Sequence, residues 1–173
     1  FALAYGNKGG LNFFYFIDKN GDEVSKLGHW NKAEQFDWQG FAKIKKSDED
    51  YLLDTFGIAY GVAYDLKDLN EEVVALDWSE KGLSTLPSKV RNHTQLKILL
   101  LNGNQLTALP PQIGQLKNLT TLYLSNNQLT ALPPEIAQLK NLTTLSLERN
   151  QLTALPPEIA QLKNLTTLSL ERN

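Results

Sequence analysis

The sequence predicts an α/β repeat solenoid, with a parallel-β concave face and a short helical or irregular convex face, preceded by a small antiparallel β region. Three observations carry that prediction. The phrase N-Q-L-T-A-L-P-P-(E/Q)-I-(A/G)-Q-L-K-N-L-T-T-L recurs every 23 residues, so Asn104, Asn127, Asn150 and Asn173 fall in one register without a gap. A fixed period of about 20–29 residues marks stacked units, none of which buries its apolar side alone. Second, the chain changes composition part-way: all seven Phe and five of the six Tyr lie before residue 65. Third, the charge divides at the same place. Residues 1–72 carry eight Lys against thirteen Asp/Glu, and residues 73–173 carry nine Lys/Arg against six.

These breaks predict three segments: β-hairpins over 1–64, a linker or N-terminal cap over 65–72, and about four and a half repeats over 73–173 with no C-terminal cap. In the first segment, Leu11 to Asp18 is rich in Phe, Tyr and Ile and is followed by Asn20-Gly21, a two-residue hairpin signal. Phe41 to Lys46 alternates apolar and polar side chains, and Tyr51 to Asp54 is a second short run closed by Gly57. Phe1-Ala-Leu-Ala followed by Tyr15-Phe-Ile-Asp18 echoes Phe41-Ala-Lys-Ile followed by Tyr51-Leu-Leu-Asp54. With Gly21, Val24, Phe36 and Gly40 this pattern resembles the bacterial WG-repeat family over about 60 residues, although Phe14-Tyr15 and Asp50-Tyr51 stand where the Trp-Gly pair belongs. The resemblance implies small antiparallel β units and a binding role.

In the repeats, Leu99, Leu101, Leu122, Leu124, Leu145 and Leu147 are expected to point inward from short parallel strands. Leu106, Leu109, Ile113 and Leu116 and their equivalents close the core from the other side. The Asn column is expected to bond buried loop backbone, and Pro133-Pro134 to open a helical turn where a missing N–H does no harm. The first unit departs from the pattern with Lys81 for Asn and His93 for Leu, as an end unit does. Residues 65–72 are expected to help cover its open side, and Leu165, Leu168 and Leu170 to lie uncapped. The chain begins at Phe1 and has no Met, so we expect a fragment whose native chain continues beyond Asn173. This half is similar to the 23-residue leucine-rich repeats with an L-P-x-x-I segment, common in bacterial repeat proteins and in scaffold-type proteins of higher cells. That resemblance implies a curved solenoid whose concave wall binds a protein or peptide.

Strand residues facing away from the core should line that wall. Ile98, Leu100 and Tyr123 form an expected apolar patch, and Tyr is enriched at binding hot spots. Glu148-Arg149 and Glu171-Arg172 form a repeated charge pair. The units 118–140 and 141–163 differ only at Tyr123/Ser146, Ser125/Glu148 and Asn126/Arg149, all wall positions. Variation confined to one face fits a scaffold altered where contact occurs, and fits recent duplication equally.

Other chemistry is not indicated. With a net charge of −2, no overall field favours nucleic acid, and no apolar run approaches the roughly 18 residues of a membrane span. Without Cys there is no thiol chemistry or Cys-based zinc site. Asp18-Lys-Asn20-Gly-Asp22 opens like a calcium loop, but Glu23 and His29 stand where that loop needs Gly and Glu. Asn92, Asn118, Asn141 and Asn164 begin glycan-acceptor triplets only because the repeat spells them. No catalytic, cofactor or metal set is expected. The sequence therefore reads as a non-enzymatic protein-binding module, cytoplasmic or exported. The alternatives are a regulatory fragment of a larger bacterial signalling enzyme (GTPase or kinase), since similar repeats can precede such domains, or a surface adhesion or structural array.

Overall fold

The computed structural model describes residues 1–37, 40–70 and 72–173. The chain divides into two compact units, Phe1–Val62 and Ala63–Asn173. Glu71, inside the expected 65–72 linker, lies outside the described residues.

The first unit is built from two hairpins. Strands β1 (Ala2–Lys8) and β2 (Leu11–Ile17) pair antiparallel from Ala2↔Ile17 to Lys8↔Leu11. The connection is Gly9-Gly10, with φ of 61° and 81°. Two successive left-handed residues make the turn whose twist matches a hairpin, and glycine adopts it without a Cβ clash. A two-residue strand, β3 (Lys32–Ala33), then flanks β4 (Phe41–Lys46), which pairs with β5 (Glu49–Asp54), and β5 pairs with β6 (Ala59–Ala63). Ser47-Asp48 closes the second hairpin with the same turn shape, at φ of 51° and 66°.

Asn20-Gly21 does not form the expected two-residue hairpin. Asp18 governs that turn: its Oδ1 accepts the N–H groups of Asn20 (2.8 Å) and Asp22 (3.1 Å). Asp22 O accepts the Asp18 N–H at 2.9 Å, so the strand resumes only at the Ile17↔Glu23 bridge. Asp54 repeats the device, its Oδ1 accepting from Phe56 and Ile58 at 2.9 Å each. A carboxylate that gathers nearby amides offers the backbone an alternative to the ladder. Tyr60 donates its hydroxyl to Asp54 Oδ2 at 3.1 Å. Burial, then the Asp54 charge and this hydrogen bond, push the phenol up to about 12. The core of this unit is Phe16, Leu27, Ala42, Ile44 and Leu53, ringed by Leu3, Val24, Trp30 and Phe36.

The second unit is a stack of coils. Strands β7 (Ala75–Asp77), β8 (Ile98–Leu100), β9 (Thr121–Tyr123), β10 (Thr144–Ser146) and β11 (Thr167–Ser169) run parallel. Each residue pairs with its equivalent 23 positions on, as in Leu76↔Leu99, Leu99↔Leu122, Leu122↔Leu145 and Leu145↔Leu168. The opposite side carries five-residue 3₁₀ turns: Ser88–Asn92, Pro111–Gln115, Pro134–Gln138 and Pro157–Gln161. Pro133 is extended and Pro134 takes the first helical position. So short a turn closes i→i+3 bonds, as in Ile136 N–H to Pro133 O at 3.0 Å.

Burial follows the stacking. Leu99, Leu101, Leu122, Leu124, Leu145 and Leu147 are wholly enclosed, and Leu106, Leu109, Ile113 and Leu116 close the core opposite them. In the last coil, Leu168 and Leu170 are 39% and 36% exposed; they occupy the same columns, and β11 pairs with β10 on one side. Leu69 packs on the core beside the first coil.

Asparagine fixes one coil to the next. Asn127 Nδ2 donates to Leu101 O and Leu124 O, both at 2.9 Å, and its Oδ1 accepts from Leu106 N–H at 3.0 Å. Asn104 and Asn150 make the same bonds one period away, Asn150 onto Leu124 O, Leu147 O and Leu129 N–H. An amide suits the position because it carries two donors and an acceptor. Lys81 stands in this column in the first repeat, where no earlier repeat offers a backbone to bind, and its own N–H donates to Asn104 Oδ1.

Candidate functional site

Two further ladders of side-chain bonds run from coil to coil. Asn118, Asn141 and Asn164 each donate Nδ2 to a carbonyl of the preceding coil: Thr94, Lys117 and Lys140, at 2.8–2.9 Å. The glycan-like triplets thus spell a structural amide. Thr120, Thr143 and Thr166 each donate Oγ1 to the residue 23 earlier, at 2.9–3.1 Å. The wall threonines therefore hold their hydroxyls against neighbouring backbone. The N-L-T-T phrase, unvaried over the last three coils at Asn118, Asn141 and Asn164, is the sequence signal, since a contact column is expected to vary and a structural one is not.

The expected wall residues separate into two groups. Ile98 and Leu100 are 2% exposed and Tyr123 9%, so the predicted apolar patch does not stand open to a partner. The strand register explains this. Ile98 lies between Ala75 and Thr121, Leu100 between Asp77 and Tyr123, and Tyr123 between Leu100 and Ser146. Neighbouring strands lie about 4.8 Å apart, so large side chains in one column cover one another. Ser125 and Ser146 are also buried, with their Oγ atoms 2.6 Å apart. By contrast Asn126, Arg149, Glu171 and Arg172 are exposed and Glu148 is half-buried.

The exposed column has an unusual backbone. Glu80, Gly103, Asn126, Arg149 and Arg172 have φ of 59°, 63°, 56°, 52° and 58°. Gly and Asn enter this left-handed region readily, whereas other residues pay a steric penalty there. The occurrence of Gly103 and Asn126 in one column is the sequence signal for it. Arg149 holds the conformation despite its penalty, its N–H bonded to Glu171 O of the next coil at 2.8 Å. Among the described residues, none of Glu148, Arg149, Glu171 and Arg172 makes an ion pair. The side chains of the charge column are therefore available for contact.

A family model described as a leucine-rich repeat region matches residues 72–173. The chain belongs to the leucine-rich-repeat family. Among solved structures, a leucine-rich-repeat protein of the bacterium Leptospira interrogans is 40% identical, with a TM-score of 0.53, over 64% of this chain and 35% of that one. The chain thus spans about a third of the length of that relative. No curated protein matches it. A leucine-rich-repeat solenoid is an interaction-type repeat module, and its relatives are typically non-enzymatic scaffolds. Among the described residues, no helix is long and apolar enough to cross a membrane.

Proposed function

We propose that the leucine-rich coils bind a protein or peptide on the concave strand side, without an enzymatic step, through the charged column of the later coils. The observation that carries this reading is the placement of the only differences between two otherwise identical units. Tyr123/Ser146, Ser125/Glu148 and Asn126/Arg149 all lie on the strand side, and the third pair is exposed. The partner would meet Arg149, Arg172 and Glu171 with Glu148 beside them, and the shoulder of Thr144 and Thr167. The buried Ile98, Leu100, Tyr123, Ser125 and Ser146 shape the floor and do not touch it. A backbone already fixed by coil-to-coil bonds keeps the ordering cost of association low.

A photo-crosslinking residue placed singly at Arg149, Arg172 and Thr144, and at the turn-side Lys117 and Lys140, tests the reading in cells of the source organism. Strand-side positions are expected to give one shared protein adduct and turn-side positions none. Adducts from the turn side alone, or none from the strand side, would refute it.

A further inference from the structure

One column of the strand side combines an unusual backbone with sorted charge. Glu80, Gly103, Asn126 and Arg149 are exposed, and each has a left-handed φ. Gly103, Asn126 and Arg149 stay exposed although each has a coil on either side. The column's N–H groups are bonded to the following coil: Glu80 to Asn102 O (2.8 Å), Gly103 to Ser125 O (3.0 Å) and Asn126 to Glu148 O (2.9 Å).

Charge changes sign along this line. Glu80 stands at one end, Gly103 and Asn126 are neutral, and Arg149 follows. Glu148 is half-buried in the adjacent column, one coil on from buried Ser125. Among the described residues, neither Glu80 nor Arg149 makes an ion pair. A Cβ at Gly103 would stand 3.0 Å from Glu80 Cγ, so the acidic side chain lies across the glycine, toward the later coils.

Gly103 and Asn126 are the residue types that suit this backbone. Glu80 and Arg149 are held in it against a steric penalty, and residues kept in such conformations cluster at ligand clamps. The penalty thus falls on the two charged positions.

We propose that this column binds an extended protein segment running along the stack, with a basic residue on Glu80 and an acidic residue four positions away on Arg149. The inference rests on the strand-side binding reading and adds the chemistry of the partner. Spacing sets the register. Three coil steps of about 4.8 Å separate Glu80 from Arg149 by about 14 Å, and four residues of extended chain rise about 13 Å. Residues four apart in such a chain share a face, so both charges reach the wall. The residues between them pass over Gly103 and Asn126, which present no competing charge. Each exposed ion pair alone is weak, so recognition depends on both being met at once.

The test selects from a displayed library of random nine-residue peptides on the 173-residue chain at low salt. Enriched peptides should carry a basic and an acidic residue with three residues between them, and the enrichment should fade at high salt. Glu80→Lys should replace the basic residue of that consensus by an acidic one at the same spacing. Arg149→Asn installs the residue that the column already accepts at Asn126. It should remove the preference for the acidic residue without lowering the thermal midpoint. Each variant should change the frequency of the affected residue about threefold. The same consensus on the parent and Glu80→Lys chains, enrichment of apolar peptides, or no enrichment would overturn the proposal. Strand-side crosslinks that persist beside such a result would leave strand-side binding standing and refute this partner chemistry alone.

Discussion

Asn127→Ala is expected to destabilise the solenoid by about 1–3 kcal/mol, although the side chain removed is small and polar. The substitution takes the acceptor from Leu106 N–H in a closed interior and removes one of two amide donors from Leu101 O and Leu124 O, which keep Asn104 and Asn150. Each buried group left without a partner costs about 1–3 kcal/mol. Leu101, Leu106 and Leu124 are wholly enclosed, so water does not readily replace the lost amide. Asn118→Ala provides the contrast. That amide makes one exposed bond, to Thr94 O, and its loss should cost below about 1 kcal/mol. Asn127→Asp should be at least as harmful as Asn127→Ala, because a carboxylate would face two carbonyls and keep only the acceptor role. Urea titrations of the three variants measure the order. A loss at Asn127 no larger than at Asn118 would mean the ladder is dispensable.

Leu122→Ala should cost about 2–5 kcal/mol, the usual range for removing an enclosed leucine. The same change at Leu168, one column equivalent two coils on, should cost below about 1 kcal/mol, since a side chain already 39% exposed loses little buried surface. Identical chemistry at identical repeat positions thus has unequal consequences. The reason is neighbourly: Leu122 is covered by strands on both sides, Leu99 and Leu145, whereas Leu168 has Leu145 on one side only. Thermal unfolding of the two variants reads the difference. Equal losses would show that each coil holds its leucines independently of the next.

The repeat half was legible because its physics is periodic. A leucine every 23 residues in each column can only be buried by stacking, and Asn104, Asn127 and Asn150 bind backbone as their invariance implied. Residues on the strand side were harder. Pointing away from the core means exposure for Arg149 and Arg172 but not for Ile98, Leu100 or Tyr123, because columns at strand spacing cover themselves. No periodicity rule contains that lateral contact. In the hairpin half, Asn20-Gly21 was the stronger local signal, yet Asp18 captured the amides of that turn. Gly9-Gly10 made the true two-residue hairpin, an assignment that needed the pairing of β1 with β2 to be known.

Native-state hydrogen exchange tests most directly whether the coils interlock into one body that presents a fixed wall. Leu101 N–H reaches Tyr123 O and Leu124 N–H reaches Ser146 O, at 2.9 and 2.8 Å, each bond joining one coil to the next. These two amides are predicted to exchange slowest and with a single shared opening free energy, while Leu147 and Arg149, bonded to the exposed last coil, open more readily. Separate opening energies for Leu101 and Leu124, or exchange there as fast as at the exposed Lys140, would contradict the interlocked stack and with it the rigid wall.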